Sequence, residues 1–333
     1  MPARPHPRRV RIGFHASHEQ FTPSELLGLV ARAERAGFEA AMSSDHLAPW
    51  SSRQGQSGFA WSWVGAAMHA TSLPFLQVTT PVGWRYHPVV VAQAAATLAE
   101  MFPRRLTLAL GSGEALNEHV TGERWPSKAE RNERLAAAVD ILRALFAGET
   151  VSRRGPIPTD RARLWTRPPA PPRLFATALS PETARWAATW ADGLATIARE
   201  EPAFSRVVKA FRDAAPEKPV AVQMHLSYAR TEEAAMGAAM EQWRTNALPR
   251  LVTENLETVE EFEALMDLVR EEDVRKSVFV SADLDAHARR IEEIAAMGVS
   301  DVMLHHVGRD QEAFVEAFGR DVLPRVRASA RLA

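Results

Sequence analysis

Asp45-His46 is the first pair in this chain whose side chains can do proton chemistry. A neutral imidazole, with an ordinary pKa near ~6.5, accepts a proton at physiological pH, and an adjacent carboxylate can orient or tune it. The same pair also reads as a polar turn after a strand, and residue types alone leave the two readings level. Glu114 follows a Gly111-Ser112-Gly113 turn, where glycines let the backbone approach a ligand closely. A carboxyl group held there acts as a general acid if burial raises its pKa. Alternatively, it stabilises the first turn of a helix through the dipole. Asn117, one turn on, shares the face of Glu114. Leu116 stands where the third glycine of a dinucleotide fingerprint belongs, so a Rossmann reading is rejected. Glu19 lies just beyond a first apolar segment, beside His15, Ser17 and His18.

The chain has nine tryptophans against two tyrosines, and Trp50, Trp61, Trp63 and Trp84 crowd into one stretch. Indole faces stack on flat ligands, and Trp50, in the loop beside Asp45-His46, is the candidate for that role. Trp61 and Trp63 sit two apart at a helix start, so at least one belongs to the core. Trp186 and Trp190, spaced i,i+4, are expected to face the barrel. No metal site is expected: HExxH and cysteine are missing, and His305-His306 point to opposite faces of a strand. No nucleophile elbow or P-loop appears. Ser180-Pro181 opens a helix whose free N–H groups can hold a phosphate, or it is simply an N-cap.

The elements that must carry these residues follow a rhythm. Thr22 can cap a helix with Pro23 in its first turn, Glu25 completes a capping box, and Gly37 closes it. Apolar strands are read at Val10–His15, Phe38–Ser43, Phe75–Thr80, Arg105–Leu110, Arg173–Ala178, Gly193–Ile197, Pro219–Tyr228 and Asp301–His306, with helices between them. Strands without polar alternation are covered on both faces. Regular βα alternation argues for one α/β domain spanning residues 1–333, a (β/α)₈ TIM barrel. Such a barrel takes roughly 250 residues. The surplus of the 333-residue chain falls in two insertions, Val151–Pro172 and Ala247–Ser281. Barrel chemistry sits at the C-terminal ends of the strands, where every candidate named above falls.

Composition narrows the function classes. With 40 basic against 41 acidic residues, the chain offers no basic field for nucleic acid. Without cysteine there are no disulfides, thiolate metal sites or Fe–S clusters. The most apolar stretch, Pro88–Ala99, falls short of the ~20 residues of a membrane helix. The basic, proline-rich N-terminus has no following apolar run and does not read as a signal peptide. A cytoplasmic enzyme acting on a small molecule is the expectation.

The segments HASHEQF (15–21), SSDHLAPW (43–50), RYHP (85–88), GSGEALNE (111–118) and LHHVGRDQEAFVEAFGRDVLPRVR (304–327) together resemble the luciferase-like flavin-dependent oxidoreductases. Within them, the chain resembles the branch around the glucose-6-phosphate dehydrogenases that use the deazaflavin coenzyme F420. It is also similar to relatives associated with FMN. The resemblance implies a (β/α)₈ barrel, usually dimeric, with a flat ring in its mouth. It implies that His46 removes the substrate hydroxyl proton, that the substrate C–H passes a hydride to the deazaflavin, and that Glu114 is the acid at the reduced ring. Trp50 then contacts substrate and Glu19 lies nearby. Asp45, Asn117 and the Val78-Thr79-Thr80 segment, which carries a non-proline cis peptide in relatives, match cofactor-contacting positions. Ser180 falls at the phosphate end of the cofactor, in Leu179-Ser180-Pro181 where the dehydrogenases have Gly-Gly-Pro. Their cations for the sugar phosphate align near Arg199–Glu200 and Lys276–Ser277, with Arg199, Arg275 or Lys276 as substitutes. These departures argue against glucose 6-phosphate as substrate. An FMN-dependent monooxygenase or reductase is the alternative enzyme. A ligand-binding barrel without catalysis is the alternative outside enzymes, and the retained His46/Glu114 pair speaks against it.

Overall fold

Local signals set the first helix as expected. Thr22 accepts a hydrogen bond from the Glu25 N–H, Glu25 accepts one from the Thr22 N–H, and Gly37 ends the helix Pro23–Ala36 at φ +103°. The long helix Lys128–Ala147 is framed the same way, by a Ser127–Glu130 capping box and Gly148. The computed structural model describes residues 10–332, with side chains through 329, so the proline-rich N-terminal stretch lies outside the described residues.

The strands are β1 (Arg11–Ala16), β2 (Ala40–Ser44), β3 (Phe75–Pro81), β4 (Leu106–Gly111), β5 (Val151–Arg153), β6 (Thr159–Ala162), β7 (Arg173–Thr177), β8 (Gly193–Ile197), β9 (Val220–Ser227), β10 (Phe279–Val280) and β11 (Asp301–His306). Eight of them pair in parallel in the order β9-β11-β1-β2-β3-β4-β7-β8, and β8 pairs back to β9, closing the barrel. It is a (β/α)₈ TIM barrel, with helices between successive strands.

Two apolar layers hold it together. Between strands and helices, large side chains such as Phe14, Leu108, Val222 and Phe314 are fully buried. Inside the barrel a smaller cluster gathers Ala40, Met42, Leu76, Ala109, Phe175, Ala195, Ala221 and Met303. Gly13 makes room for it, because a Cβ there would lie 2.2 Å from the Met303 sulfur. Two residues further along each strand point to the same face. From Gly13, Ala221 and Met303 that step reaches His15, Gln223 and His305, so the barrel filling turns from apolar to polar towards its C-terminal mouth.

The segment Val151–Pro172 contains the antiparallel hairpin β5–β6. Ala247–Ser281 contains the short helices Arg250–Thr253, Val259–Met266 and Glu271–Arg275, then β10 beside the end of β9. Phe262, Val274 and Val278 from this stretch build a second core with Trp243 and Leu116, and Trp50 packs against it. Trp61 and Trp63 are both buried. The helix Ala60–Ala70 has apolar residues on most of its circumference, so spacing two apart did not send one of them outward. Among the described residues, no helix is long and apolar enough to cross a membrane.

Candidate active site

A cavity of ≈ 200 Å³ opens at the C-terminal ends of the strands. Register puts the tips of β1 and β2 side by side, Ala16 opposite Ser43, so the loops leaving them meet. There Glu19 and His46 join. Nδ1 of His46 hydrogen-bonds the Glu19 carboxylate, and the Ser17 hydroxyl donates to the other Glu19 oxygen at 2.7 Å. Burial pushes the His46 pKa down, but the charge of Glu19 and its hydrogen bond outweigh burial, and the net shift is upward. Burial pushes the Glu19 carboxyl up, yet His46 and Ser17 hold it well below the usual carboxylate range. The result is a carboxylate–imidazole pair whose imidazole leaves Nε2 for a ligand. Trp50 packs edge-on against His46, ring centroids 4.5 Å apart.

The loop carrying His46 and Trp50 is held from three sides. Asn117 Oδ1 accepts from the N–H groups of Leu47 (2.7 Å) and Ala48 (3.3 Å). Gln54 Oε1 accepts from the Trp50 N–H at 2.9 Å. Glu263, from the second insertion, accepts from the Ser52 N–H at 2.8 Å and from the Ser51 and Ser52 hydroxyls. Asn117 also lines the cavity.

Asp45 turns away from His46 into a separate buried network. Its Oδ1 accepts from the Tyr86 hydroxyl at 2.8 Å and from Arg85 at 3.3 Å, while Arg85 also meets Glu118 at 3.2 Å. Burial raises the Asp45 pKa against these partners, and burial pushes Glu118 up to about 7. Asp45 Oδ2 is buried with no protein partner, and Asp45 edges the cavity. Arg85 and Tyr86 carry no ligand-directed signal of their own in the sequence, only their place in the RYHP segment.

The arc formed by β3, β4 and β7 is close-packed backbone. The Val78–Thr79 peptide is cis. A Cβ on Gly111 would lie 2.1 Å from Thr79 Cγ2 and 2.9 Å from Thr177 Oγ1, so only glycine keeps this wall flat. Val78 and Thr79 line the cavity, but Thr80 is not among its lining residues and is fully buried. The pairing of β3 with β4 shifts register between Gln77 and Thr80, which displaces the strand's alternation at this point. Glu114 stands at the N-cap position of the helix Ala115–Glu118 without capping it, and its side chain is exposed in the cavity wall. The burial expected for it is not supplied by the protein's own side chains. Lys128 donates to Ser112 at 2.6 Å, and burial with nearby Arg250 and Arg131 lowers its pKa to about 8. Ser180 accepts from the Thr183 N–H as the N-cap of the helix Pro181–Trp190 and is not among the lining residues, whereas Leu179, Thr183 and Trp186 are.

The opposite arc, on β8, β9, β11 and β1, is aromatic and polar. His15, His225, His305 and Trp243 contact one another with centroids 4.3–5.3 Å apart. Burial lowers the pKa of all three histidines, to about 3 for His15 and His225. Trp243 touches Trp50 at 5.4 Å, which links this cluster to His46. Strand-end position marks the three histidines in the sequence; Trp243 ends a helix 18 residues past His225 and has no such marker.

A family model described as luciferase-like monooxygenase matches residues 8–301. The chain is 35% identical to an F420-dependent glucose-6-phosphate dehydrogenase of Nakamurella multipartita, over 97% of this chain and 98% of the relative. It is also 35% identical to the enzyme of the same name from Beutenbergia cavernae, over 97% and 99%. Among solved structures it is similar to an F420-dependent secondary alcohol dehydrogenase in complex with an F420–acetone adduct, with TM-score 0.87, 30% identity and coverage of 96% and 99%. The motifs at the strand tips, the closed barrel and these full-length matches agree: the chain belongs to the luciferase-like monooxygenase family and is an oxidoreductase of that class.

Proposed function

We propose that this protein is a coenzyme F420-dependent oxidoreductase that moves a hydride between a small hydroxyl or carbonyl substrate and the deazaflavin. The Glu19–His46 carboxylate–imidazole pair at the cavity wall carries the proposal, because it is an acid–base unit with one imidazole nitrogen left for substrate. The names and identities of the relatives support the cofactor.

The residues present fit such a ring. Its pyrimidinedione edge offers N–H donors and carbonyl acceptors, and Asp45 Oδ2 is a buried acceptor without a partner. Gly111 and the Val78–Thr79 backbone form the flat wall that a tricycle needs, while Asn117 stands beside them. Bound there, the deazaflavin supplies a two-electron hydride acceptor. His46 Nε2 takes the carbinol proton, and Glu19 holds the imidazolium that results. The carbinol carbon gives up its hydride in the same oxidation, leaving a carbonyl. The Glu114 carboxyl, in the cavity wall, would supply the proton that balances a reduced ring. Trp50 excludes water from His46 on the substrate side.

Titrating the apoprotein with F420 and with FMN, then following loss of deazaflavin absorbance with a panel of alcohols, tests this reading. Tight binding of F420 and its reduction by a secondary alcohol are expected. Binding of FMN without F420 would replace it with the flavin alternative. Turnover unchanged in both His46→Ala and Glu114→Gln would remove the assigned acid and base.

A further inference from the structure

Among the described residues, six side chains lining the cavity hold buried polar atoms with no partner: Asp45 Oδ2, Arg199 Nε, Thr245 Oγ1 and, within one cluster of rings, His15 Nδ1, His225 Nδ1 and Trp243 Nε1. Buried polar groups are nearly always paired, and orphans that edge a cavity point to a ligand. We infer that the substrate carries, besides the reacting carbinol, a second uncharged hydroxyl that binds between His225, Trp243 and His15. This rests on the reading of His46 as the base that takes the carbinol proton.

The hydrogen-bond network decides which of these atoms donate. Gln20 Nε2 donates to the Val307 carbonyl at 2.7 Å and to Gln242 Oε1 at 3.1 Å, so Gln20 Oε1 is the acceptor facing His305 Nε2 at 3.2 Å. His305 therefore carries its proton on Nε2, and its bare Nδ1 accepts from Gln223 Nε2 at 3.3 Å. This imidazole is satisfied and acts as a wedge, with His15 4.3 Å and Trp243 4.4 Å from its ring centroid. His225 is hydrogen-bonded to the Ser277 backbone in a way that favours its protonated form, so the partner is the carbonyl and one ring nitrogen donates to it. With Nδ1 unpaired, that donor is Nε2–H, and Nδ1 is a lone pair in need of a donor. Trp243 Nε1–H can only donate.

A hydroxyl answers both demands. Its proton goes to His225 Nδ1, and its oxygen accepts from Trp243 Nε1–H; the two rings are 5.3 Å apart. His15, which makes no hydrogen bond to any described residue, offers a further polar contact on the same side. A carboxylate or phosphate oxygen brings no proton for His225 Nδ1, and burial keeps that nitrogen from acquiring one; Arg199, which also lines the cavity, would draw an anion to its own guanidinium rather than to this lone pair. A metal ion is no better an occupant, since among the described residues no three His, Asp or Glu side chains converge as a ligand set. The place is right as well. This cluster lies on the β9–β11–β1 arc, away from the flat β3–β4–β7 wall. Trp50 joins it to His46 through contacts of 5.4 and 4.5 Å.

Isopropanol, propylene glycol and lactate share a carbon skeleton and differ only at the distal end: methyl, hydroxymethyl or carboxylate. Calorimetric titration of each into the full-length protein reads the subsite, and F420 reduction with each reads turnover. Propylene glycol should bind at least about tenfold more tightly than isopropanol and more tightly than lactate. His225→Phe should bring the glycol-to-isopropanol ratio close to one, and His225→Gln, which keeps an acceptor oxygen, should restore most of it. Equal binding of the two alcohols, tightest binding of lactate, or an equal loss for all three probes in His225→Phe would overturn the inference. Glycol preference without F420 reduction would leave the subsite standing and remove the F420 reading. F420 reduction without glycol preference would do the reverse.

Discussion

Glu19, buried beyond the tip of β1, hydrogen-bonds Nδ1 of His46, beyond the tip of β2. Two adjacent strands thus bring one carboxylate–imidazole pair together, and Glu19 raises the proton affinity of the imidazole. In the proposed function His46 is the base and works in its neutral form, so the acid limb of the activity profile should follow its pKa. Glu19→Gln removes the charge that raises it and leaves burial to pull it down. The acid limb of kcat/KM should move to lower pH, and kcat should fall by roughly 10–100-fold as the base weakens. A limb that stays in place would show that Glu19 does not act on His46 in this way.

Arg85 is the countercharge for two buried carboxylates, Asp45 and Glu118. Arg85→Met leaves both uncompensated, a change of about 3–5 kcal/mol in stability. The sign of the pH effect follows from Glu118, whose pKa already stands at about 7 through burial. A carboxyl with a raised folded-state pKa stabilises below that value and loses this contribution as pH rises through it. Urea unfolding of Arg85→Met should therefore show a larger deficit at pH ~8 than at pH ~6. A constant deficit would mean that the lost packing of Arg85 matters more than its charge.

Asn117 anchors the N–H groups of Leu47 and Ala48 with a single oxygen. Asn117→Ala strands two partly buried donors, at about 1–3 kcal/mol each when no water replaces the oxygen. Thermal melts should show the loss, and limited proteolysis should cut first within residues 47–55. Asn117→Asp keeps the acceptor, so it should retain loop protection while placing a new charge at the cavity wall.

Six buried histidines should make the protein acid-sensitive. Burial is the first cause in each case, lowering His15 and His225 to about 3, His18 and His306 to about 4, and His287 and His305 in the same direction. The unfolded chain takes up these protons near pH ~6.5, and the folded chain does not until lower pH. The unfolded state then binds more protons, and stability falls as pH drops from about 6.5 towards 4. The raised pKa of His46 opposes this with one histidine against six. Melting temperature measured in steps across that range should decline steadily. A flat profile would mean that these imidazoles gain protons without unfolding.

What was legible in the sequence follows a physical pattern. Caps and glycines such as Thr22, Ser127 and Gly37 act within one helical turn, so they marked element ends. Strand tips collect chemistry in a barrel, so Asp45, His46, Glu114 and Asn117 could be listed together before their contacts were known. Contacts across distant segments stayed hidden. Arg85 with Glu118, Glu263 with Ser52, and Trp243 with Trp50 meet only because the barrel closes and its insertion folds back. Thr80 and Ser180 show the opposite limit. Their neighbours line the cavity, but a register shift in β3 and an N-cap hydrogen bond leave these two out of its lining; the N-cap is one of the two readings of Ser180-Pro181, whereas the register shift is not visible in residue types.

The three hydrogen bonds from Ser51 and Ser52 to Glu263 have a consequence for how this barrel can diversify. They make the second insertion a handle on the loop that seats His46 and Trp50. Directed evolution can therefore randomise residues 250–270 and retune the placement of His46 and Trp50 together with the cavity mouth. The glycine-walled face on β3 and β4 would be inherited unchanged. Libraries confined to the strand tips would disturb both faces at once.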